Sequence, residues 1–226
     1  MKKALIIQIL LAGLILGLLT GCSTAPPVHD WTMKGYNRLE DFKKYYLEGR
    51  TSIAELHFNR AVDEIKKSGD LDLLGRAYII HMAMEVALLE KAQDQAFLKV
   101  DAVEPNTANH NYYVFLTGPP NLVQEILLPD PYQALIKPLA QGRTKDLAGI
   151  IANITDPASR LIAAGVCIER GHVDEAILTT AVETASRQGW KKALLVYMDK
   201  QRVYYSGIGQ QDKAAAILKK IELLAP

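Results

Sequence analysis

Apolar residues recur at helical spacing along most of this chain, and alternating strand-like runs are scarce. In TSIAELHFNRAVDEIKK the apolar positions include Ile53, Leu56, Phe58, Val62 and Ile65; in KAAAILKKIELL they are Ala214, Ile217, Leu218 and Ile221. A chain patterned in this way buries helix against helix rather than sheet against sheet. Gly69-Asp70, Gly142, Gly171 and Gly189 fall where such helices would stop, as helix-ending glycines do. The expectation is an all-α domain of about ten helices from residue 36 onward. Thr117–Pro131, TGPPNLVQEILLPDP, holds four prolines that helix interiors do not accept. It is expected to be a seam, residues 118–131, between an N-terminal helical half, 35–117, and a C-terminal half, 132–226. Its Leu122, Val123, Ile126, Leu127 and Leu128 are expected to plug a groove or cover the core.

The N-terminus has a different character. Lys2 and Lys3 precede an uncharged run from Ala4 to Gly21, the layout of an export signal. By length alone this run is also near the shortest membrane span. Its ending, Leu19-Thr20-Gly21-Cys22, resembles the lipobox of bacterial lipoproteins. The resemblance implies a signal peptide over 1–21, cut before Cys22, with diacylglyceryl on the Cys22 thiol and further acylation of the new amino group. Two or three chains make a durable anchor where one does not. Ser23, where the family's inner-membrane members carry aspartate, implies an outer-membrane destination facing the periplasm if the source has two membranes. STAPPVHD, with Pro26-Pro27, reads as an extended tether within 22–34.

Removal of the signal leaves 205 residues, enough for one large domain or two small ones. The 26 basic and 25 acidic residues nearly cancel, and loss of Lys2 and Lys3 leaves a net charge of −1. That balance argues against nucleic acid as a partner. The chain has two cysteines; lipid on Cys22 leaves Cys167 unpaired in an export compartment. Cys167 lies in the apolar stretch RLIAAGVCIERG and is expected to be a buried structural thiol.

Internal similarity supplies a second resemblance. GHVDEA (Gly171–Ala176) and GQQDKA (Gly209–Ala214) share Gly-x-x-Asp-x-Ala, and GRTSIA (Gly49–Ala54) continues to Phe58 and Ala61. This resembles the tetratricopeptide repeat, with units at 35–68, 157–189 and 195–226. Thr180 and Glu183 in the second unit, and Phe42 and Arg202 in the first helices of the first and third, depart from the family's pattern. The resemblance implies an α-solenoid of helical hairpins whose first helices line a concave face. The positions on that face are Tyr36, Leu39, Lys43, Tyr46 and Leu47; Ala158, Leu161, Gly165, Ile168 and Glu169; and Val196, Asp199, Val203, Ser206 and Gly207. Tyr36, Lys43, Tyr46, Glu169 and Asp199 are the expected partner-binding residues.

Chemistry-bearing motifs are sparse. His29, His57, His81, His110 and His172 are scattered. His81 and Glu85 share a helix face four residues apart, but two ligands do not make a metal site, so an ordinary helix pair is expected. No nucleophile elbow, phosphate loop or paired-cysteine motif is present in the sequence. No cofactor and no metal is expected, and no catalytic residue is nominated. The tyrosine pairs 45/46, 112/113 and 204/205 put one ring into a helix interface; the second packs too or lines a groove. These readings together point to a lipid-anchored helical adaptor, not an enzyme, that binds another envelope protein. A cell-wall-acting enzyme or a regulator of a cell-wall synthase is the alternative.

Overall fold

In the computed structural model the structure describes residues 30–225, with side chains from Thr32. The expected signal peptide, Cys22 and most of the tether lie outside the described residues. The described chain is all-α, with no strand among the described residues. Helix α1 (Asp30–Glu48) begins inside the segment read as tether. Pro27 is the last helix breaker before it, and no proline follows until Pro105.

Helices α2 (Thr51–Lys66) and α3 (Leu71–Ala87) follow through short turns. Shorter helices come next: α4 (Gln95–Asp101) and α5 (Thr107–Thr117). The proline-rich stretch forms two 3-10 turns, Pro120–Leu122 and Glu125–Leu127. It then gives α6 (Asp130–Gln133) and α7 (Ile136–Ala140). Val123 and Leu128 are buried, while Leu122 and Ile126 are exposed, so the segment only partly covers the core. The remainder is α8 (Thr144–Asn153), α9 (Pro157–Glu169), α10 (Glu175–Gln188), α11 (Lys191–Gly207) and α12 (Gln211–Leu224).

Local chemistry sets these boundaries. Asp70, Asn106, Asp156 and Asp174 accept backbone N–H bonds at the starts of α3, α5, α9 and α10, which satisfies donors that a helix start leaves open. The three turns that the repeat pattern singled out each end a helix with a left-handed glycine, at φ +89° for Gly49, +83° for Gly171 and +77° for Gly209. Each proposed unit therefore falls on a pair of consecutive helices: α1 with α2, α9 with α10, and α11 with α12.

The C-terminal helices pack in chain order, α9 on α10, α10 on α11 and α11 on α12. The centre departs from that order. Helix α3 lies on α9, seventy residues later in the chain, and one core runs from Leu39 to Tyr197 across the proline-rich stretch. Accordingly, the described residues from Trp31 onward form one compact unit. Gly165 makes the α3–α9 approach possible, since a Cβ there would lie 2.9 Å from the Val86 carbonyl carbon and closer still to its oxygen. Arg170 fastens the same region by donating to the carbonyls of Phe115 (2.7 Å), Gly118 (2.6 Å) and Val166 (3.0 Å). No helix among the described residues is long and apolar enough to cross a membrane.

Candidate functional site

The spacing of Leu39, Phe42 and Tyr46 puts all three on the buried face of α1. Opposite them α2 contributes Phe58 and α3 contributes His81. The Phe42 and His81 rings stack at 5.1 Å and 15°, and the Phe58 ring meets His81 edge-on at 4.7 Å. Aromatic walls thus hold the imidazole in one orientation.

Two carboxylates converge on that imidazole. His81 Nε2 is 3.1 Å from Glu55 Oε1, and Nδ1 is 3.6 Å from Glu85 Oε1. Burial, the largest influence, disfavours the charged ring. Hydrogen bonding to Glu85 and Glu55 outweighs it, so the His81 pKa lies above the ordinary 6.5. Glu85 is itself buried and accepts the Gln93 N–H at 2.8 Å. The pair read from sequence as an ordinary i, i+4 contact is therefore one side of a three-residue arrangement. Its third member, Glu55, comes from another helix.

The turn after α3 extends the cluster. Leu89 adopts φ +56°, a left-handed conformation costly for a branched side chain. Glu90 follows it, accepting the Tyr46 hydroxyl at 2.7 Å and pairing with Lys192 Nζ at 2.8 Å. Lys192 Nζ also stands 4.8 Å from the centre of the Tyr46 ring. Burial and the Glu90 bond raise the Tyr46 pKa, so the phenol stays protonated and donating. Beside this cluster a cleft of about 770 Å³ is walled by Phe58, Tyr78, His81, Lys91, Asp94 and Lys99. Its walls combine aromatic faces with lysine and aspartate side chains. Among the described residues no group of three or more His, Cys, Asp or Glu could hold a metal ion.

The residues expected from the repeat alignment are placed unequally. Tyr36 is exposed, at 63 %, whereas Tyr46 is core, at 6 %. Lys43 is ion-paired with Glu40 at 2.7 Å. Glu169 ends α9 in an exposed position, and Asp199 is exposed and takes the Arg202 guanidinium at 2.8 Å. Leu39, Leu47, Ala158, Leu161, Gly165 and Ile168, aligned to an open concave face, are all buried. Helix α9 can offer no such face over most of its length because α3 covers it. Of the five expected residues Tyr46 is core, the other four lie on α1, α9 and α11, and none lines the cleft beside His81. Its signal was present only as the cluster of His81, Glu85 and Glu90 near the end of an apolar helix.

The tyrosine pairs mostly serve packing. Tyr205 is buried and donates to Glu175 at 2.6 Å, as Tyr46 donates to Glu90. Tyr112 stacks on Tyr132 at 5.6 Å. Cys167 is fully buried, and burial pushes its thiol up to about 12, so it is inert as a nucleophile in the fold. No family model, curated protein or solved structure matches this chain.

Proposed function

We propose that the chain is a lipid-anchored helical adaptor of the bacterial cell envelope, held to a membrane through Cys22 and binding another envelope protein. The tetratricopeptide-like reading of its repeats, as hairpins in a short α-solenoid, belongs to the same proposal. The observation that carries it is the consecutive stacking of α9, α10, α11 and α12 through glycine turns, an arrangement that offers an extended surface without any catalytic group. Along its outer flank Val203, Ile208 and Leu218 are each more than two-fifths exposed. That is the kind of apolar surface on which protein partners dock. Tyr36, Lys43, Glu169 and Asp199 remain accessible enough to contribute polar contacts, whereas Tyr46 acts through the fold.

The proposal is tested in two arms. Cells fed a labelled fatty acid should label the protein, and Cys22→Ser should abolish the label and block maturation; normal maturation of that variant would remove the anchor from the proposal. Crosslinking in cells followed by identification of captured proteins should return a recurrent envelope partner, and Val203→Asp with Leu218→Asp should lose it while helical content is kept. Unchanged capture by that variant would exclude this flank.

A further inference from the structure

His81 has two ring nitrogens and a carboxylate against each. Glu55 Oε1, from α2, lies 3.1 Å from Nε2, and Glu85 Oε1, one turn along α3, lies 3.6 Å from Nδ1. A protonated imidazole carries an N–H for both, whereas a neutral one carries an N–H for only one. The shorter Glu55 contact is the better place for the N–H that a neutral ring retains. Whichever nitrogen keeps it, the positive charge is gone. The two carboxylates differ in what that loss means for them. The Glu55 side chain is 39 % exposed and can turn to water. Glu85 is 3 % exposed and has no other ion pair among the described residues. A buried carboxylate left without a counter-charge is costly.

Glu85 also holds the chain that follows α3. That chain is fixed at one end by Glu90, through the Tyr46 hydroxyl and Lys192, and at the other by Asp94, which accepts the Tyr113 hydroxyl at 3.0 Å. Between them, among the described residues, Lys91–Gln93 is fastened by one hydrogen bond, from the Gln93 N–H to Glu85 Oε2 at 2.8 Å. The same three residues wall the cleft together with Phe58 and Tyr78. The carboxylate that faces the ring with one oxygen therefore holds the cleft wall with the other. The other titratable groups around the ring do not replace its proton. Tyr46 and Glu90 are bonded to one another, and Asp94 is taken by Tyr113. Tyr78, Lys91 and Lys99 line the cleft, the two lysines out in solvent where their charge is screened. We propose that Glu55, His81 and Glu85 form a proton latch: a proton on the ring holds Lys91–Gln93 down against α3, and its loss frees that stretch and widens the cleft over Phe58 and Tyr78. The two carboxylates keep the His81 pKa above 6.5, so the latch is closed below that pH and opens as pH climbs through the folded value. It depends on neither the lipid anchor nor the α11–α12 flank.

The test is amide hydrogen exchange of the full chain, corrected for the intrinsic pH dependence of exchange. It is read at Gln93 and, as the measure of global opening, at Val166 in the buried middle of α9. Between about pH 6 and about pH 9 the protection of Gln93 should fall about tenfold more than that of Val166, the equivalent of one pKa unit of linkage. The extra fall should track titration of the His81 ring, followed by the resonance of its Cε1 proton and assigned by the absence of that resonance from His81→Gln. Glu85→Gln keeps an acceptor for the Gln93 N–H and removes the charge, so Gln93 should stay protected across the range in that variant. Equal changes at Gln93 and Val166, or release at a pH well apart from the ring's titration, overturn the inference in the unsubstituted chain alone. An extra fall at Gln93 that persists in Glu85→Gln overturns it as well.

Discussion

Tyr46 donates its hydroxyl to Glu90 across 44 residues of sequence, at 2.7 Å. The bond joins α1 to the strained turn that ends α3, and Lys192 from α11 completes it on the other carboxylate oxygen. Three helices distant in sequence are thus tied at one carboxylate. Hydrogen bonds to a charged acceptor contribute about 1.5–3 kcal/mol. Tyr46→Phe keeps the ring packing and removes only this bond, so it should lower unfolding free energy by about 1.5 kcal/mol in urea titration. A loss below about 0.3 kcal/mol would show that Lys192 alone satisfies Glu90.

Gly165→Ala is expected to be among the most damaging conservative changes in the chain. The new methyl would overlap the Val86 carbonyl, which is backbone and cannot rotate away. Overpacking of this kind costs about 3 kcal/mol or more, a fall in melting temperature of about 6–12 °C for a domain of this size. Gly207→Ala, where nothing lies within 4 Å, is the matched control and should be neutral or slightly stabilising.

Arg170 should resist replacement by lysine. Its guanidinium bridges two carbonyls at the end of α5 while also capping its own helix. A single ammonium cannot reproduce that fork. Arg170→Ala should cost about 3 kcal/mol, and Arg170→Lys should recover less than half of it, as measured by chemical denaturation. Full recovery by lysine would mean that charge, not geometry, is what α5 requires.

Stability should fall as pH rises through neutrality, on account of His81. Its folded pKa is raised above the ordinary 6.5 by the Glu85 and Glu55 carboxylates, against the opposing effect of burial. Its contribution is therefore fully present below about pH 6.5 and is lost as pH climbs through the folded value. Denaturation midpoints measured from pH 6 to pH 9 should show this decline, and His81→Gln should flatten it. An identical slope in that variant would assign the decline to other groups.

Cys167 should report unfolding rather than surface chemistry. With its thiol buried and pushed up to about 12, alkylation should be negligible in the native protein and rapid once denaturant opens the core around α9. Fast alkylation of the native chain would show that this part of the core opens locally.

The all-α character, the helix-ending glycines and the units that coincide with helix pairs were written into local sequence. Helical periodicity, left-handed turn residues and capping aspartates act within a few residues of each other, so Gly171 and Asp174 announce their roles without knowledge of the rest of the chain. The same sequence marked which residues are apolar, but not which helix would cover them. Leu161 and Gly165 carry the spacing of an exposed repeat face as well as that of a core face. What settled the matter was the docking of α3 onto α9, a contact between residues some eighty positions apart that depends on one missing Cβ and a matching carbonyl. The His81 arrangement was half visible for the same reason: Glu85 lies one turn away on the same helix, while Glu55 arrives only when α2 packs against α3.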